Sequence, residues 1–137
     1  MTSQTIDIRV SPPGRIEDHH RHLLRLHYLD RCLHFASGHD DRAIDAHCLR
    51  LMNGRAILIG AYVDGVQRGA VEIIPDRAAR RAQAMVTMEQ DFRAHTLMQA
   101  LVARAAEEAR KSRLGEIHFL GIEMIPQPRD FQIARRA

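Results

Sequence analysis

Aromatic residues are scarce in this sequence, which has no tryptophan, two tyrosines and four phenylalanines among 137 residues. Proteins that bind single-stranded nucleic acid stack the bases on aromatic side chains, and few such side chains are available here. The formal net charge of +3 is also modest, although arginine is abundant. The composition therefore does not indicate nucleic acid as a partner.

The sequence also lacks paired cysteines and long apolar runs. Cys32 and Cys48 stand alone, outside any Cys-x-x-Cys pair. No apolar run approaches the ~20 residues that a membrane-spanning helix requires. The opening segment, MTSQTIDIRV, has neither the basic region nor the apolar region of a secretion signal. We therefore expect a cytoplasmic protein with no membrane span.

Hydrophobic residues make up 45% of the sequence and charged residues 27%, which is typical of a globular protein. A chain of this length can bury roughly two-thirds of the surface that it exposes when unfolded. We therefore predict a single domain, residues 1–137, built around one core.

Histidine, in contrast, is concentrated in one part of the chain. A metal site on a helix would need ligands three or four residues apart, and of the pairs considered, His19 with His22 has this spacing whereas His22 with His27 does not. No carboxylate or cysteine completes a ligand set, so we predict no metal site and interpret these histidines as polar residues on solvated helix faces. The clustered histidines are His19, His20, His22, His27, His34, His39 and His47.

The first half of the chain is predicted to hold a strand and two amphipathic helices. Thr5–Val10 alternates apolar and polar residues, as a half-buried strand does. Glu17–Tyr28 and Asp40–Met52 carry apolar residues at approximately helical spacing. Asp40 or Asp41 is available as the N-cap of the second helix.

The strongest hairpin signal is Asp64-Gly65, which lies between the apolar runs Ala56–Val63 and Val66–Ile74. An Asp-Gly pair suits a two-residue hairpin turn, because the turn requires backbone conformations that these residues tolerate. The two runs are therefore predicted to be central antiparallel strands.

The turn after this hairpin is basic and carries Arg77, Arg80 and Arg81. Such a cluster could contact a phosphate. Runs of charge are more often simply exposed, so we interpret this turn as a solvated loop.

A strand, a short turn and a long helix follow, and they are the most informative stretch of the chain. Gln83–Met88 is an apolar strand, Arg93 lies in the turn, and an alanine- and leucine-rich helix runs from near Thr96 to Arg110. A strand that leads directly into a helix N-terminus gathers unpaired backbone N–H groups, which suits an anion such as a pyrophosphate. Glu116–Ile122 is predicted to be a further strand, parallel to the first, in a βαβ unit.

This stretch resembles the signature of the GNAT acyltransferases, Gln/Arg-x-x-Gly-x-Gly/Ala followed by an alanine- and leucine-rich helix. The matching segment is Arg93-Ala94-His95-Thr96-Leu97-Met98. Arg93 and the helix agree with the signature, whereas Thr96 and Met98 stand in place of its two glycines. Those glycines let the backbone approach the pyrophosphate of coenzyme A with no Cβ in the way.

A second segment, in the connector at residues 29–41, is similar to the Asp-Arg-x-x-Arg-Phe sequence of some bacterial GNAT proteins. Asp30-Arg31 and His34-Phe35 match it, with His34 in place of arginine. The order of predicted elements is also that of a GNAT domain, over about residues 5–125. The resemblance implies an α/β (α+β) fold, with a GNAT-like mixed, mainly antiparallel sheet flanked by helices.

The resemblance also implies a cofactor, acetyl-CoA or coenzyme A, held in a wedge between the fourth and fifth strands. By position, backbone groups of Val86, Thr87 and Met88 would hold its pantetheine arm. The acetyl group would pass from acetyl-CoA to an amine acceptor. The residues implied at the phosphates are Arg93, Ala94, His95, Thr96, Leu97 and Met98.

Acyl transfer to an amine needs a base that removes a proton and an acid for the departing thiolate. Glu89, at the end of the fourth strand, or Glu72, in the third, could act as the base directly or through water. A surface carboxylate is the commoner role for either residue. In family members a tyrosine acts as the general acid. This sequence has no tyrosine at the corresponding position, since Tyr28 and Tyr62 lie elsewhere.

GNAT proteins continue through a fourth helix and a final β-hairpin, and this sequence departs from them after Ile122. We expect the final hairpin to be missing, which would leave one edge of the strand Glu116–Ile122 unpaired. Because proteins rarely leave such an edge exposed, we predict a homodimer formed by strand pairing or by exchange of the C-terminal segment. Residues 126–137 folding back on the strand are the alternative.

Two functions stay open. The first is acyl-CoA-dependent N-acyltransfer, which is the usual activity of the family. The second is a catalytically inactive GNAT-like binding or assembly module, which the missing glycines and hairpin favour. The sequence identifies neither the amine acceptor nor the acyl group.

Overall fold

The computed structural model describes residues 4–35, 40–120 and 132–136, which form a six-stranded sheet with helices on both faces. The elements are β1 Ile6–Val10, α1 Glu17–Leu24, α2 Tyr28–His34, α3 Asp41–Asn53, β2 Ile57–Val63, β3 Val66–Asp76, β4 Arg81–Met88, a 3-10 helix Gln90–Phe92, α4 His95–Lys111, β5 Glu116–Leu120 and β6 Gln132–Arg136. Strands β1 to β4 pair antiparallel in chain order, and β4, β5 and β6 pair in parallel. Within these residues no helix has the length and apolar character needed to cross a membrane.

The alternation of side chains along the strands divides the apolar residues between the two faces of the sheet. Val71 and Ile73 of β3 lie with Phe119 of β5 in the cluster that α4 covers. Leu58 of β2 and Met85 of β4 belong to a second cluster, formed with α1 and α3. The sequence predicts one core, but the structure has two clusters, because a sheet covered on both sides buries both faces.

The first helix is shorter than predicted, and the connector that follows it is helical. α1 ends at Leu24, and α2 begins at Tyr28, inside the segment predicted to be part of the first helix. His27 has an extended backbone, and its Nδ1 accepts a hydrogen bond from the N–H of Leu29 at 3.2 Å, which caps the second helix. Leu26 is buried on the same side as Leu23, so the apolar pattern continues across the break and conceals it.

Three local predictions are confirmed. Asp40 caps α3, since its Oδ1 accepts a hydrogen bond from the N–H of Ala43 at 2.8 Å. Asp64 and Gly65 form the hairpin turn with φ of 50° and 83°, the left-handed backbone that this turn requires. α4 connects β4 to the parallel strand β5, which completes the βαβ unit.

The sequence did not predict β6. Gln132–Arg136 pairs in parallel with β5, from Glu116 opposite Gln132 to Leu120 opposite Arg136. This is the folding-back alternative, and it covers the β5 edge whose exposure was the reason to predict a homodimer. Among the described residues one strand, rather than a hairpin, follows β5; the predicted end of β5 at Ile122 lies outside them.

A buried carboxylate attaches α1 and α3 to the sheet. Glu72 of β3 is 3% exposed, and its Oε2 accepts a hydrogen bond from Nε2 of His19 in α1 at 2.8 Å. Its Oε1 accepts another from Nε2 of His47 in α3, also at 2.8 Å. Burial raises the pKa of Glu72, but the hydrogen bonds from His19 and His47 outweigh burial and lower the pKa to about 2.

Gly69 of β3 permits close contact between the sheet and α4. A Cβ at this position would lie 2.6 Å from Sδ of Met88 and 3.2 Å from Cδ1 of Leu101. Gly115, just before β5, differs from it, since a Cβ there would have its nearest contact at 3.7 Å, on the carbonyl oxygen of Arg80. The two glycines therefore form a matched pair, in which only a Cβ at Gly69 would force a neighbouring side chain to move.

We expect Gly69→Ala to lower the free energy of unfolding by about 1–3 kcal/mol, because the added methyl group overpacks the space beside Met88. Gly115→Ala is the control, since it restricts the unfolded chain equally without a close contact. Urea unfolding of both variants measures the difference. Equal stabilities would show that Met88 moves aside at little cost.

The Glu72 contacts predict a pH dependence of stability. The folded-state pKa lies below the ordinary value of 4.5, so this stabilisation is fully present above pH 4.5 and is lost as the pH falls toward 2. We expect Glu72→Gln to lower the free energy of unfolding by about 3 kcal/mol at neutral pH, and the difference from wild type to shrink below pH 4.5.

Denaturant unfolding at a series of pH values measures this difference. Glu107→Gln is the control, because Glu107 is an exposed carboxylate on α4. A Glu72→Gln difference that stays constant from neutral pH to about pH 3 would contradict the role assigned to the carboxylate charge.

Candidate active site

The candidate site begins where β4 continues past its pairing with β5. The described pairing joins Arg81–Met85 to Glu116–Leu120. Val86, Thr87 and Met88 continue the strand, and among the described residues they have strand partners only on the β3 side. Within the described ranges their other backbone edge is unpaired, and this is the edge at which the family resemblance implies the pantetheine arm.

β4 leads through a short turn into the N-terminus of α4. The 3-10 helix Gln90–Phe92 makes the turn, and α4 begins at His95. Ala94 is the N-cap residue, with an extended backbone and no side-chain hydrogen bond to the helix. Ala94 therefore provides no side-chain cap for the first N–H groups of α4, and the positive helix end suits an anion.

The side chains of the predicted phosphate-binding segment point in different directions. Leu97 is buried at 5% exposure, and Met98 packs against the cluster under α4. Thr96 and Ala94 are exposed. Of the two residues that replace the family's glycines, Met98 is thus partly withdrawn into the core, and only Thr96 presents its side chain to solvent at the helix start.

Arg93 is paired with an acidic residue of α2. Its Nη2 donates a hydrogen bond to Oδ1 of Asp30, whose side chain is largely buried, while the Arg93 side chain is 49% exposed. The segment containing Asp30, predicted to be a connector, is thus a helix that contacts the turn before α4. The Asp30 carboxylate offsets part of the positive charge that Arg93 would offer to a phosphate.

Glu89, directly after β4, lies at the centre of a polar cluster. Its Oε2 accepts a hydrogen bond from Nδ1 of His22 at 3.0 Å and one from Nε of Arg25 at 3.1 Å. Its Oε1 accepts one from Nη1 of Arg68 at 2.9 Å. On the other side of the ring, Nε2 of His22 lies 2.8 Å from Oγ1 of Thr87. This cluster joins α1 to the end of β4 at which the resemblance implies the cofactor.

The charges of this cluster follow from its burial. Burial lowers the pKa of His22, despite its hydrogen bond to Glu89, so the ring is neutral near pH 7. A neutral ring that donates from Nδ1 to Glu89 must accept at Nε2, and the hydroxyl of Thr87 supplies that proton. Burial raises the pKa of Glu89, but the hydrogen bonds from His22, Arg68 and Arg25 outweigh burial and lower it. Glu89 is therefore ionised at neutral pH.

A cavity of 440 Å³ opens beside Glu89. Arg25 and Arg68 line it with Glu89 itself, and His27 and Asp91 add further polar groups. Glu72 is placed differently, because both of its oxygens are occupied by His19 and His47 within the protein. Of the two predicted bases, Glu89 is the one that the structure brings to a cavity and to the end of β4.

The expectation that Glu72 and Glu89 are surface carboxylates is wrong, since they are 3% and 6% exposed. The interpretation of the clustered histidines as solvated is wrong for His19 and His22, which are 1% and 0% exposed. Their three-residue spacing does place them on one face of α1, but that face contacts carboxylates of the sheet. Among the described residues, no group of three or more His, Cys, Asp or Glu is arranged to hold a metal ion.

Sequence reasoning missed three residues of the Glu89 cluster, namely His22, Arg25 and Arg68. His22 lies on α1 and Arg25 is the C-cap residue of that helix, three positions later, a spacing that places them on one side. Arg68 lies on β3 next to Gly69 and reaches Glu89 because the backbone N–H of Glu89 bonds to its carbonyl oxygen at 2.9 Å. The spacing of His22 and Arg25 could be read from the sequence, but their shared partner, Glu89, could not.

No protein-family model matches the sequence, and no curated protein matches it significantly. Solved structures do match. A GNAT-family acetyltransferase from Streptococcus pneumoniae has a TM-score of 0.59 and 18% identity, covering 82% of this chain and 72% of that one. The PaiA N-acetyltransferase from Thermoplasma acidophilum, solved with coenzyme A, has a TM-score of 0.58 and 17% identity, covering 82% and 77%.

A third match covers nearly the whole chain. The ribosomal-protein-alanine N-acetyltransferase from Brucella melitensis biovar Abortus 2308 has a TM-score of 0.60 and 17% identity, covering 96% of this chain and 82% of that one. Identities this low establish the architecture rather than the chemistry. The chain therefore has the fold of the GNAT N-acetyltransferases.

Proposed function

We propose that this protein is an N-acetyltransferase that takes its acetyl group from acetyl-CoA and passes it to an amine. The observation that carries the proposal is the end of β4, where Val86–Met88 extends past the described pairing with β5 and leads into the N-terminus of α4, for which Ala94 provides no side-chain cap. In a GNAT fold this arrangement offers a strand edge and a helix N-terminus to one elongated, anionic ligand.

The residues present fit coenzyme A. The backbone edge of Val86, Thr87 and Met88 that has no strand partner within the described ranges matches the amides of a pantetheine arm, which hydrogen-bond as a strand does. The N–H groups at the start of α4, from His95 to Leu97, suit the pyrophosphate, whereas the N–H of Met98 already donates to the carbonyl oxygen of Ala94 at 3.0 Å. When bound, the cofactor supplies the thioester that carries the acetyl group.

On the acceptor side, Glu89 is the proposed base. Its low pKa makes direct proton abstraction weak near pH 7, because a good general base has a pKa close to the working pH. We assign it instead the role of an ionised acceptor, which orients the incoming amine or a water that relays the proton. His22, Arg25 and Arg68 hold the carboxylate in place.

A non-catalytic GNAT-like binding module is the second candidate. The observation that favours it is the Asp30 pairing of Arg93, because a carboxylate on this arginine competes with a phosphate for its donors. Binding of acetyl-CoA without turnover would support this candidate, and turnover would exclude it.

Location and assembly stay proposals from the sequence. Cys32 is an exposed free thiol and Cys48 a buried one, which agrees with a reducing, cytoplasmic compartment. Because β6 covers the β5 edge, pairing of two β5 strands is no longer a reason to expect a homodimer. A homodimer formed by exchange of the C-terminal segment is the form that we still propose. The amine acceptor is not assigned.

Calorimetric titration tests the cofactor. We expect acetyl-CoA and desulfo-CoA to bind and ATP to bind far more weakly, since ATP lacks the pantetheine arm. Arg93→Ala should weaken acetyl-CoA binding by about 1–3 kcal/mol, the scale of a charge-assisted hydrogen bond. Asp30→Asn should strengthen it, because it frees Arg93 from a competing carboxylate. Arg42→Ala is the control, because it deletes an exposed charge that lies on α3.

Two results would contradict the cofactor site. If neither acetyl-CoA nor desulfo-CoA binds, coenzyme A is the wrong ligand. If Arg93→Ala and Arg42→Ala bind acetyl-CoA equally well, Arg93 does not contact the phosphates.

Release of coenzyme A, followed with a thiol-reactive chromophore over a panel of amines, tests catalysis. We expect Glu89→Gln to lower kcat by about 10²–10⁴-fold while leaving the Kd of acetyl-CoA unchanged, since the amide keeps the shape but not the charge. Glu107→Gln, on the exposed face of α4, is the control. Full activity of Glu89→Gln would contradict a role for the Glu89 charge in the reaction.

A further inference from the structure

A second cavity, of 540 Å³, lies at the opposite end of the sheet from the wedge. Its wall comes from the loop after β1, the C-terminal end of α3, the start of β2, the β3–β4 turn and the last turns of α4. The wedge adjoins the first turn of α4. Because α4 has 17 residues, its two ends are about 24 Å apart, so this cavity is separate from the proposed cofactor site.

The inner wall of the cavity is apolar. Ile16, Leu51 and Leu58 line it and belong to the cluster between the sheet and the first three helices. Met52, which is 50% exposed, adds an apolar side chain at the rim. A ligand with an apolar body would cover Met52 and the small exposed part of the buried wall, and the volume is within the usual range for small-molecule sites.

The outer wall is basic. Arg15, Arg55 and Arg77 line the cavity, and no side chain in the described ranges pairs with any of them. Arg77 belongs to the turn that the sequence led us to interpret as a solvated loop. The three arginines come from three separate segments of the chain, so the fold brings them to one cavity.

The cavity also contains one carboxylate, which does not cancel this charge. Glu108 of α4 lines the wall, but Lys111 Nζ lies 3.2 Å from its Oε2 and Arg104 Nε lies 3.5 Å from the same atom. Its charge is therefore already balanced on its own helix. The cavity keeps an excess of positive charge, which attracts an anion.

We propose that this cavity binds a small organic anion, with a carboxylate, sulfonate or phosphate group at the three arginines and an apolar body against Ile16, Leu51 and Leu58. Arginine suits each of these groups, because its planar fork donates two parallel hydrogen bonds to one oxyanion. The apolar wall explains why the anion carries a hydrophobic body, since a bare inorganic ion would leave that wall in water. The site does not depend on the acetyl-CoA proposal.

Anilinonaphthalene sulfonate is the probe, because it joins a sulfonate to an apolar ring system and its fluorescence rises in apolar surroundings. We expect one site per chain on the native protein, checked by circular dichroism and cooperative unfolding. The neutral analogue phenylnaphthylamine should bind at least about tenfold more weakly, because it gains no contact with the arginines.

Variants locate the site. Arg55→Gln should lower the affinity for the sulfonate probe about tenfold. Adding Arg15→Gln and Arg77→Gln should lower that affinity further, whereas Arg42→Gln on α3 should leave it unchanged. Ser112→Trp places a bulky ring in the half-buried wall at the end of α4 and should block both probes. Coenzyme A should not displace the probe.

Three outcomes would overturn the proposal. Equal binding of the charged and neutral probes would show that the arginines take no part. Equal loss of probe affinity in Arg55→Gln and Arg42→Gln would show that the net charge of the protein, rather than a contact at the cavity, controls binding. Displacement of the probe by coenzyme A, with Ser112→Trp binding as well as wild type, would place the probe in the wedge instead.

Discussion

The attachment of α1 to the sheet depends on two buried histidine–carboxylate hydrogen bonds, and the rest of the structure depends on that attachment. His19 and His22 are adjacent on one face of α1, with ring centroids 6.2 Å apart, and they contact Glu72 and Glu89 respectively. A buried carboxylate is stable only when hydrogen bonds replace its lost hydration, and removing one partner leaves a charge that is costly to bury. These contacts therefore fix where α1 lies along β3 and β4.

This attachment links the packing of the fold to the proposed chemistry. His22 contacts both Glu89 and Thr87, so the same ring that holds α1 also borders the strand segment where the cofactor is expected. Arg25, the C-cap residue of α1, donates to Glu89 at 3.1 Å and to the carbonyl oxygen of Gln67 at 2.7 Å. A shift of α1 would therefore change the position of the Glu89 carboxylate as well as the stability of the fold.

The sequence predicted those features that depend on local patterns. The Asp64-Gly65 turn, the cap at Asp40 and the strand–turn–helix unit around Arg93 are recorded in a few neighbouring residues, and all three are present. The histidine contacts are not local, since Glu72 and Glu89 are 53 and 67 residues from their partners. Periodicity alone places a histidine on a helix face but does not identify what that face contacts, and β6 was missed because its pairing depends on β5 rather than on its own pattern.

The parallel strand β6 has a consequence for how the chain folds. The ribosome makes β5 before β6, so β5 emerges while its outer edge still lacks the strand that covers it. An open edge with buried residues such as Ile117 and Phe119 can pair with the same edge of another chain. Parallel pairing across a connection longer than a hairpin turn is also slow to form. The interval between synthesis of β5 and docking of β6 is therefore the stage at which this protein is most exposed to aggregation.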